Sequence, residues 1–410
     1  KTSLSVLLIA ACAISAFGQR GNTDESKVPE YTLPDPLVFE DGSKVENADQ
    51  WPKRRAEILG LFEEHVYGKV PNQVTRDTVR AEVIKTVPDF HDGKAVLTET
   101  RIFFTAKEAP YMDLLTIFPK SAAAEPAPTF LGYNFAGNHA VHPSKEITIT
   151  KSWTREGNHV ATEESRGAKA SRWDIDQIIN AGCALATIYY GDVDPDNKAD
   201  QFEDGLHAVY DKPKPNEWGS IATWAWALSV ARDHLGTLKE VDQARVAVIG
   251  HSRLGKTSLW AGATDERFAL VISNNSGCGG AALSRRAFGE TVKRINTSFP
   301  HWFNDKFNKY NDNEGACPVD QHMLVALSAP RRVYIASAVQ DTWADPNGEF
   351  LAGKHASPVW ELLGKKGVGA DKQPEIDTPI GEEVRYHVRT GKHDVLPYDW
   401  TQYIEALKTL

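Results

Sequence analysis

Two hydrophobic periods divide the chain. From Trp51 to Tyr67, the apolar residues Ile58, Leu59, Phe62 and Val66 recur at helical spacing and predict one amphipathic helix. Apolar or alternating runs follow at Val79 to Val87, Ala95 to Thr105, Asp113 to Phe118 and Pro128 to Phe135, which predict strands of a mixed sheet. Beyond them short strands alternate with helices. The strands are expected at Ala184 to Tyr190, Arg245 to Ile249, Ala269 to Ser273, Arg331 to Ala338 and Glu383 to Arg389. Helices are expected at Ile175 to Asn180, Ile221 to Leu235, Leu254 to Ala263 and Gln321 to Leu327. Short buried strands interleaved with helices indicate an α/β chain, a three-layer αβα sandwich with a mostly parallel central sheet. No repeat or composition break divides it, so residues 51–410 are expected to form one catalytic domain after a polar lead-in at 19–50. Long insertions near 136–172 and 279–320 are expected to be functional or to carry structure of their own.

Composition narrows the function classes. The 410 residues are 41% hydrophobic and 10% aromatic, enough for a sizeable core. A net charge of -9 excludes a general nucleic-acid binder, which needs a basic face to release counterions.

The N-terminus has the shape of an export signal over residues 1–18: Lys1, then an apolar run from Leu4 to Phe17 too short to span a bilayer, closed by Ala16-Phe17-Gly18. Ile9-Ala10-Ala11-Cys12 also has a lipobox shape, but simple cleavage is preferred to lipid anchoring at Cys12. The expected location is the periplasm or the medium. Cys183 opens an apolar strand and reads as a core residue, whereas Cys278 and Cys317 form either one disulfide or two buried thiols. No C-x-x-C pair exists, and no metal is expected.

The candidate chemistry starts at Gly250-His251-Ser252-Arg253-Leu254-Gly255-Lys256-Thr257, directly after an apolar strand. Read as G-x-x-x-x-G-K-[ST], it is a phosphate cradle. Read as strand, sharp turn and helix with a serine at the apex, it is a nucleophile elbow. The cradle lacks a second strand ending in an acidic residue, since the next runs Leu270 to Asn275, and an exported protein rarely meets nucleotide triphosphate. The elbow gains support downstream. A nucleophile, an acid and a histidine are needed in that order, each at a strand end, and Ser252, Asp341 and His393 satisfy it. One departure stands out: Leu254 fills the second small position of G-x-S-x-G, and Gly255 follows one residue later.

The stretch Gly250 to Lys256 resembles the G-x-S-R-x-G-K signature of the glucuronoyl esterases, α/β-hydrolases that cleave esters between lignin alcohols and 4-O-methyl-glucuronate on xylan. The similarity continues through Ser276 to Ala282, Pro318 to His322, Ala329-Pro330-Arg331 and Gly391 to Asp394, over about residues 130–400, and is nearest the bacterial branch. The resemblance implies Ser252 as nucleophile, His393 as base and Arg253 as oxyanion donor. It implies Lys256, Glu290 and Trp343 as contacts to the uronate. Many members carry a glutamate where this chain has Asn275; others carry the acid after the next strand, where Asp341 stands, with Asp345 the weaker choice. His251 and His322 are assigned to the scaffold, and Trp302 receives no role. The implied enzyme needs no cofactor. Its partner is a glucuronoxylan or lignin–carbohydrate ester, with no nucleic acid, no membrane span and a monomeric state expected. Rival readings are an acetyl or other carbohydrate esterase on the same fold, and a non-catalytic carbohydrate-binding protein, which Asn275 keeps open.

Overall fold

Within Arg245 to Ile249 successive side chains enter different cores. Val246 and Val248 join one buried cluster, while Ala247 and Ile249 join another. Val333 and Ile335 divide from Tyr334 and Ala336 in the same way. A strand apolar on both faces must be covered on both, which is the condition of a parallel sheet between helix layers. A computed structural model describes residues 21–155, 158–210 and 212–410, and it has this three-layer architecture. The export-signal and lipobox readings fall outside the described residues.

Nine strands form one sheet: β1 (Arg80–Phe90), β2 (Ala95–Phe103), β3 (Tyr111–Pro119), β4 (Ala127–Asn134), β5 (Ala184–Tyr189), β6 (Val241–His251), β7 (Leu270–Asn274), β8 (Arg332–Ala338) and β9 (Val384–Arg389). Their order is β1-β2-β3-β5-β4-β6-β7-β8-β9. The run from β5 to β9 is parallel, and β1 to β3 add to β5 as an antiparallel extension. All nine predicted strands are present, displaced by a few residues at their ends.

The eight α-helices among the described residues are α1 (Trp51–Phe62), α2 (Ile175–Asn180), α3 (Ser220–Leu235), α4 (Arg253–Thr264), α5 (Val292–Ser298), α6 (Gln321–Ala326), α7 (Pro346–Leu362) and α8 (Pro397–Lys408). Side chains of α1, α3, α4, α6 and α7 cover one face of the sheet, and those of α2 and α8 the other. The predicted first helix stops at Phe62 and continues as a wider π turn over Glu63–Tyr67. Three helices, α5, α7 and α8, were not anticipated. Cys183, Cys278 and Cys317 are all free and buried, so the two loop cysteines are thiols and not a disulfide.

This topology fixes the site. In a parallel sheet the carboxyl ends of the strands open on one edge, where ligands bind. β6, β7, β8 and β9 are consecutive neighbours, so Ser252, Asn275, Asp341 and His393 emerge side by side.

Candidate active site

Ser252 sits between β6 and α4 with φ 57° and ψ −128°, a conformation costly for a residue with a side chain. Its backbone is clamped: Ser252 N donates to Asn274 O at 2.9 Å, and Ser252 O accepts from Gly255 N at 2.9 Å and Lys256 N at 3.2 Å. The turn closes only because two positions lack a Cβ. A Cβ on Gly250 would lie 1.8 Å from the Leu254 carbonyl oxygen, and one on Gly255 would lie 2.9 Å from the Ser276 Cβ. That explains the departure from G-x-S-x-G. The close approach to the neighbouring strand falls at Gly255, so Leu254 is free to be large and is buried.

Asp341 follows β8, and its Oδ2 lies 2.5 Å from Nδ1 of His393. A carboxylate only accepts, so Nδ1 carries the proton and Nε2 is left as the basic nitrogen. The Asn275 side chain also converges here, donating from Nδ2 to Asp341 Oδ2 at 2.9 Å. Asn275 therefore supports the acid at the neighbouring strand end. With Asp341 in contact with His393, the argument for a site lacking its orienting carboxylate loses its premise. Asp345 is elsewhere. It pairs with Arg286 at 2.8 Å and caps α7 through Gly348 N at 2.9 Å.

Ser252, His393, Arg253 and His251 face one cavity of about 390 Å³, whose other walls are Phe135, Tyr190, Arg155, Lys169 and Arg172. Three of these cations come from the 136–172 insertion. His251 is more than scaffold: its ring packs 4.4 Å from that of His393. Burial, reinforced by His393 and Arg172, pushes its pKa well below the ordinary imidazole value, and it bonds Asn274 Oδ1 at 2.6 Å. The catalytic-type histidine thus packs against a neutral ring, without a second cation. His322 bonds Pro34 O at 2.8 Å and does not line this cavity.

Lys256, Glu290 and Trp343 form a second cluster beside Arg253. The Lys256 ammonium is buried, hydrogen-bonded to Ser276 O, and 3.9 Å from Glu290 Oε2. Burial pushes the Glu290 carboxyl up and the Lys256 ammonium down, while their proximity opposes both shifts. Trp343 is 38% exposed, and its carbonyl accepts from Glu290 N at 3.0 Å. Trp302, given no role from sequence, joins the two clusters. Its ring centre lies 4.9 Å from the Arg253 guanidinium and 6.0 Å from the Lys256 ammonium.

Glu349 of α7 was also missed. It is fully buried and pins the loop carrying Asn275, accepting from Ser276 N at 2.7 Å and Gly277 N at 3.0 Å, with the Ser337 hydroxyl 2.6 Å from its other oxygen. Burial, aided by the nearby Asp341, raises its pKa to about 8. An acid with a raised folded pKa binds its proton where the unfolded chain has released it. Stability therefore falls as pH rises from about 4.5 to about 8. Asp192, raised by burial to about 7, acts in the same direction. Glu349→Gln keeps the shape without the charge. Its melting temperature is expected to match the wild type near pH 5 and to exceed it at pH 8; an identical pH dependence would refute a protonated Glu349.

A strained serine after a parallel strand, a histidine lining the same cavity and an acid on that histidine, at the ends of β6, β9 and β8, are the arrangement of a serine hydrolase of the α/β-hydrolase class. The family model for glucuronyl esterases of fungi matches residues 142–364. The carbohydrate esterase MZ0003, from an unknown prokaryotic organism, is 52% identical over 94% of this chain and 90% of its own length. A solved promiscuous CE15 esterase from a marine bacterial metagenome is 51% identical with a TM-score of 0.89, covering 95% of this chain and 99% of the other. The glucuronoyl esterase of Solibacter usitatus is 47% identical with a TM-score of 0.89, covering 93% and 99%. The chain belongs to the glucuronoyl esterase family and is a carboxylic ester hydrolase.

Proposed function

We propose that the protein hydrolyses the ester between 4-O-methyl-glucuronate of glucuronoxylan and lignin alcohols by two-step acyl transfer. The observation that carries this reading is the Lys256–Glu290 pair, buried beside the Ser252–His393–Asp341 line. A buried ammonium and carboxylate 3.9 Å apart suit the hydroxyls of a uronate ring, and an acetyl group offers no hydroxyl to bond with them.

His393 takes the Ser252 proton as the hydroxyl oxygen attacks the C6 carbonyl. The Arg253 guanidinium and backbone N–H groups at the start of α4 stabilise the oxyanion. The alcohol leaves with the proton from His393, and water then releases glucuronate by the reverse transfers. Glu290 and Lys256 hold ring hydroxyls, with Trp343 as a wall. The same reading takes the protein as exported by its N-terminal signal, acting as a monomer.

The test is release of benzyl alcohol from benzyl glucuronate, measured beside p-nitrophenyl acetate. The glucuronate ester is expected to have a kcat/KM at least about a hundredfold higher, since unpaired polar groups penalise the wrong substrate by several kcal/mol. Acetate hydrolysis without glucuronate turnover would establish the acetyl esterase instead. No turnover of either would leave the binding protein.

A further inference from the structure

The loop after β5 reads Asp192-Val193-Asp194-Pro195-Asp196, and all three aspartates are buried. Each has a separate task. Asp192 accepts from the Ser152 and Thr150 hydroxyls, tying down the 136–172 insertion. The Asp194 carbonyl accepts from the Trp224 indole at 2.9 Å. Asp196 turns to the catalytic cavity, where its carboxylate gathers five donors. Oδ1 accepts from His301 Nε2 at 2.9 Å and Trp302 Nε1 at 2.8 Å. Oδ2 accepts from Arg155 Nη1 at 3.0 Å, Tyr190 OH at 3.2 Å and Arg253 Nη1.

We infer that Asp196 is the positioning residue of the oxyanion site, holding the Arg253 guanidinium in the orientation it needs when the tetrahedral intermediate forms. The inference rests on the esterase reading and on Arg253 as an oxyanion donor. An arginine side chain has four torsions, and an electrostatic catalyst works only when it is aimed before the charge develops. Arg253 is gripped at one nitrogen by Asp196. Its flat faces are enclosed by Trp302 at 4.9 Å, Phe299 at 5.4 Å and Phe135 at 5.8 Å. Trp302 is itself fixed by the same carboxylate. The guanidinium has five N–H donors, so the Asp196 contact leaves others for the cavity.

Anchoring does not cancel the charge. Burial alone would raise the Asp196 pKa, but the His301 hydrogen bond and the Arg253 charge outweigh it and hold the acid well below its ordinary value, so it is an anion. Arg155, which is about half exposed, also pairs with it. Two guanidinium groups thus share one carboxylate, leaving a net positive charge toward the cavity. An arginine beside its own private carboxylate would present none.

The test is a double-mutant cycle with benzyl glucuronate. Arg253→Ala is expected to lower kcat by roughly 10²- to 10³-fold, the usual loss of an oxyanion donor. Asp196→Asn, which keeps the side-chain shape, is expected to lower kcat at least about tenfold while KM moves less than about threefold, the signature of an interaction made in the transition state. The double variant is expected to be no slower in kcat than Arg253→Ala, because the effect of Asp196 on the transition state is inferred to pass through that arginine. Multiplying effects, or an unchanged kcat in Asp196→Asn, would overturn the inference. An unchanged kcat in Arg253→Ala would remove the oxyanion role itself, and the positioning role with it. Millimolar guanidinium supplied to Arg253→Ala is expected to restore turnover saturably, and not in the double variant. This first rescue is read with Asp196 in place, so it serves even if Asp196→Asn does not fold. Its absence would also refute a site built by Asp196 to hold a guanidinium.

Discussion

Ser252→Ala is expected to cut kcat on benzyl glucuronate by at least about 10⁴-fold, with KM nearly unchanged. The hydroxyl oxygen is the only heavy atom lost, and it is the atom proposed to form the acyl-enzyme. The cavity, the Arg253 guanidinium and the Lys256–Glu290 pair all remain, so binding persists while covalent catalysis does not. Each factor of ten is about 1.4 kcal/mol, so the loss amounts to at least about 5.5 kcal/mol of transition-state stabilisation. His393→Ala should cost about as much, and the double variant no more, because nucleophile and base act as one unit. Removing the positive-φ side chain also tests the backbone. If the strain at Ser252 serves only to present the hydroxyl, Ser252→Gly should melt at or above the temperature of Ser252→Ala, since glycine adopts φ 57° without penalty. Residual turnover of a few per cent in Ser252→Ala would end the nucleophile assignment.

The second large effect is at the acid. Asp341→Asn is expected to lower kcat by about 10³- to 10⁴-fold, because an amide can donate to Nδ1 and favour the tautomer with the proton on Nε2, where it blocks the base. Asn275→Ala removes only the 2.9 Å hydrogen bond to the acid and leaves the 2.5 Å contact with His393. A hydrogen bond to a charged group contributes about 1.5–3 kcal/mol, so a loss of roughly ten- to a hundredfold is the ceiling. Single-turnover rates for the two variants check the ranking. If Asn275→Ala were the slower of the pair, Asp341 would not be the acid.

The sheet and the order of the triad residues were legible because both follow from short-range pattern. A buried parallel strand is a run of β-branched and apolar residues, and each candidate group follows the end of one within four residues, in the order nucleophile, acid, histidine. That is how Ser252, Asp341 and His393 stand out. What was missed depends on contacts between distant segments. Asp196 lies in an acidic, proline-containing stretch that reads like a solvated loop, and only its partners, Arg253 57 residues away and Trp302 106 residues away, give it meaning. Trp302 looked like any core tryptophan for the same reason. Helix α7 was hidden by Pro358, which removes a donor in mid-helix, yet the burial of Phe350, Ala352, Ala356, Val359 and Trp360 holds it. Helix α8 is different: Trp400, Tyr403, Ile404 and Leu407 have the spacing of a buried face, so its signal was present in the chain.

The contact between Asn275 and Asp341, the acid on the His393 imidazole, has a further consequence for how such a site can change over time. Their strands are adjacent and parallel, and each side chain already touches the other. An Asn275→Asp substitution would place a second carboxylate beside the first, and a later Asp341→Asn would leave the anion on the neighbouring strand. At the first step the two carboxylates would share a proton, because like charges this close do not both ionise. Turnover by the Asn275→Asp/Asp341→Asn double variant would show that the acid can act from either of two adjacent strand ends, and its absence would tie the acid to the end of β8.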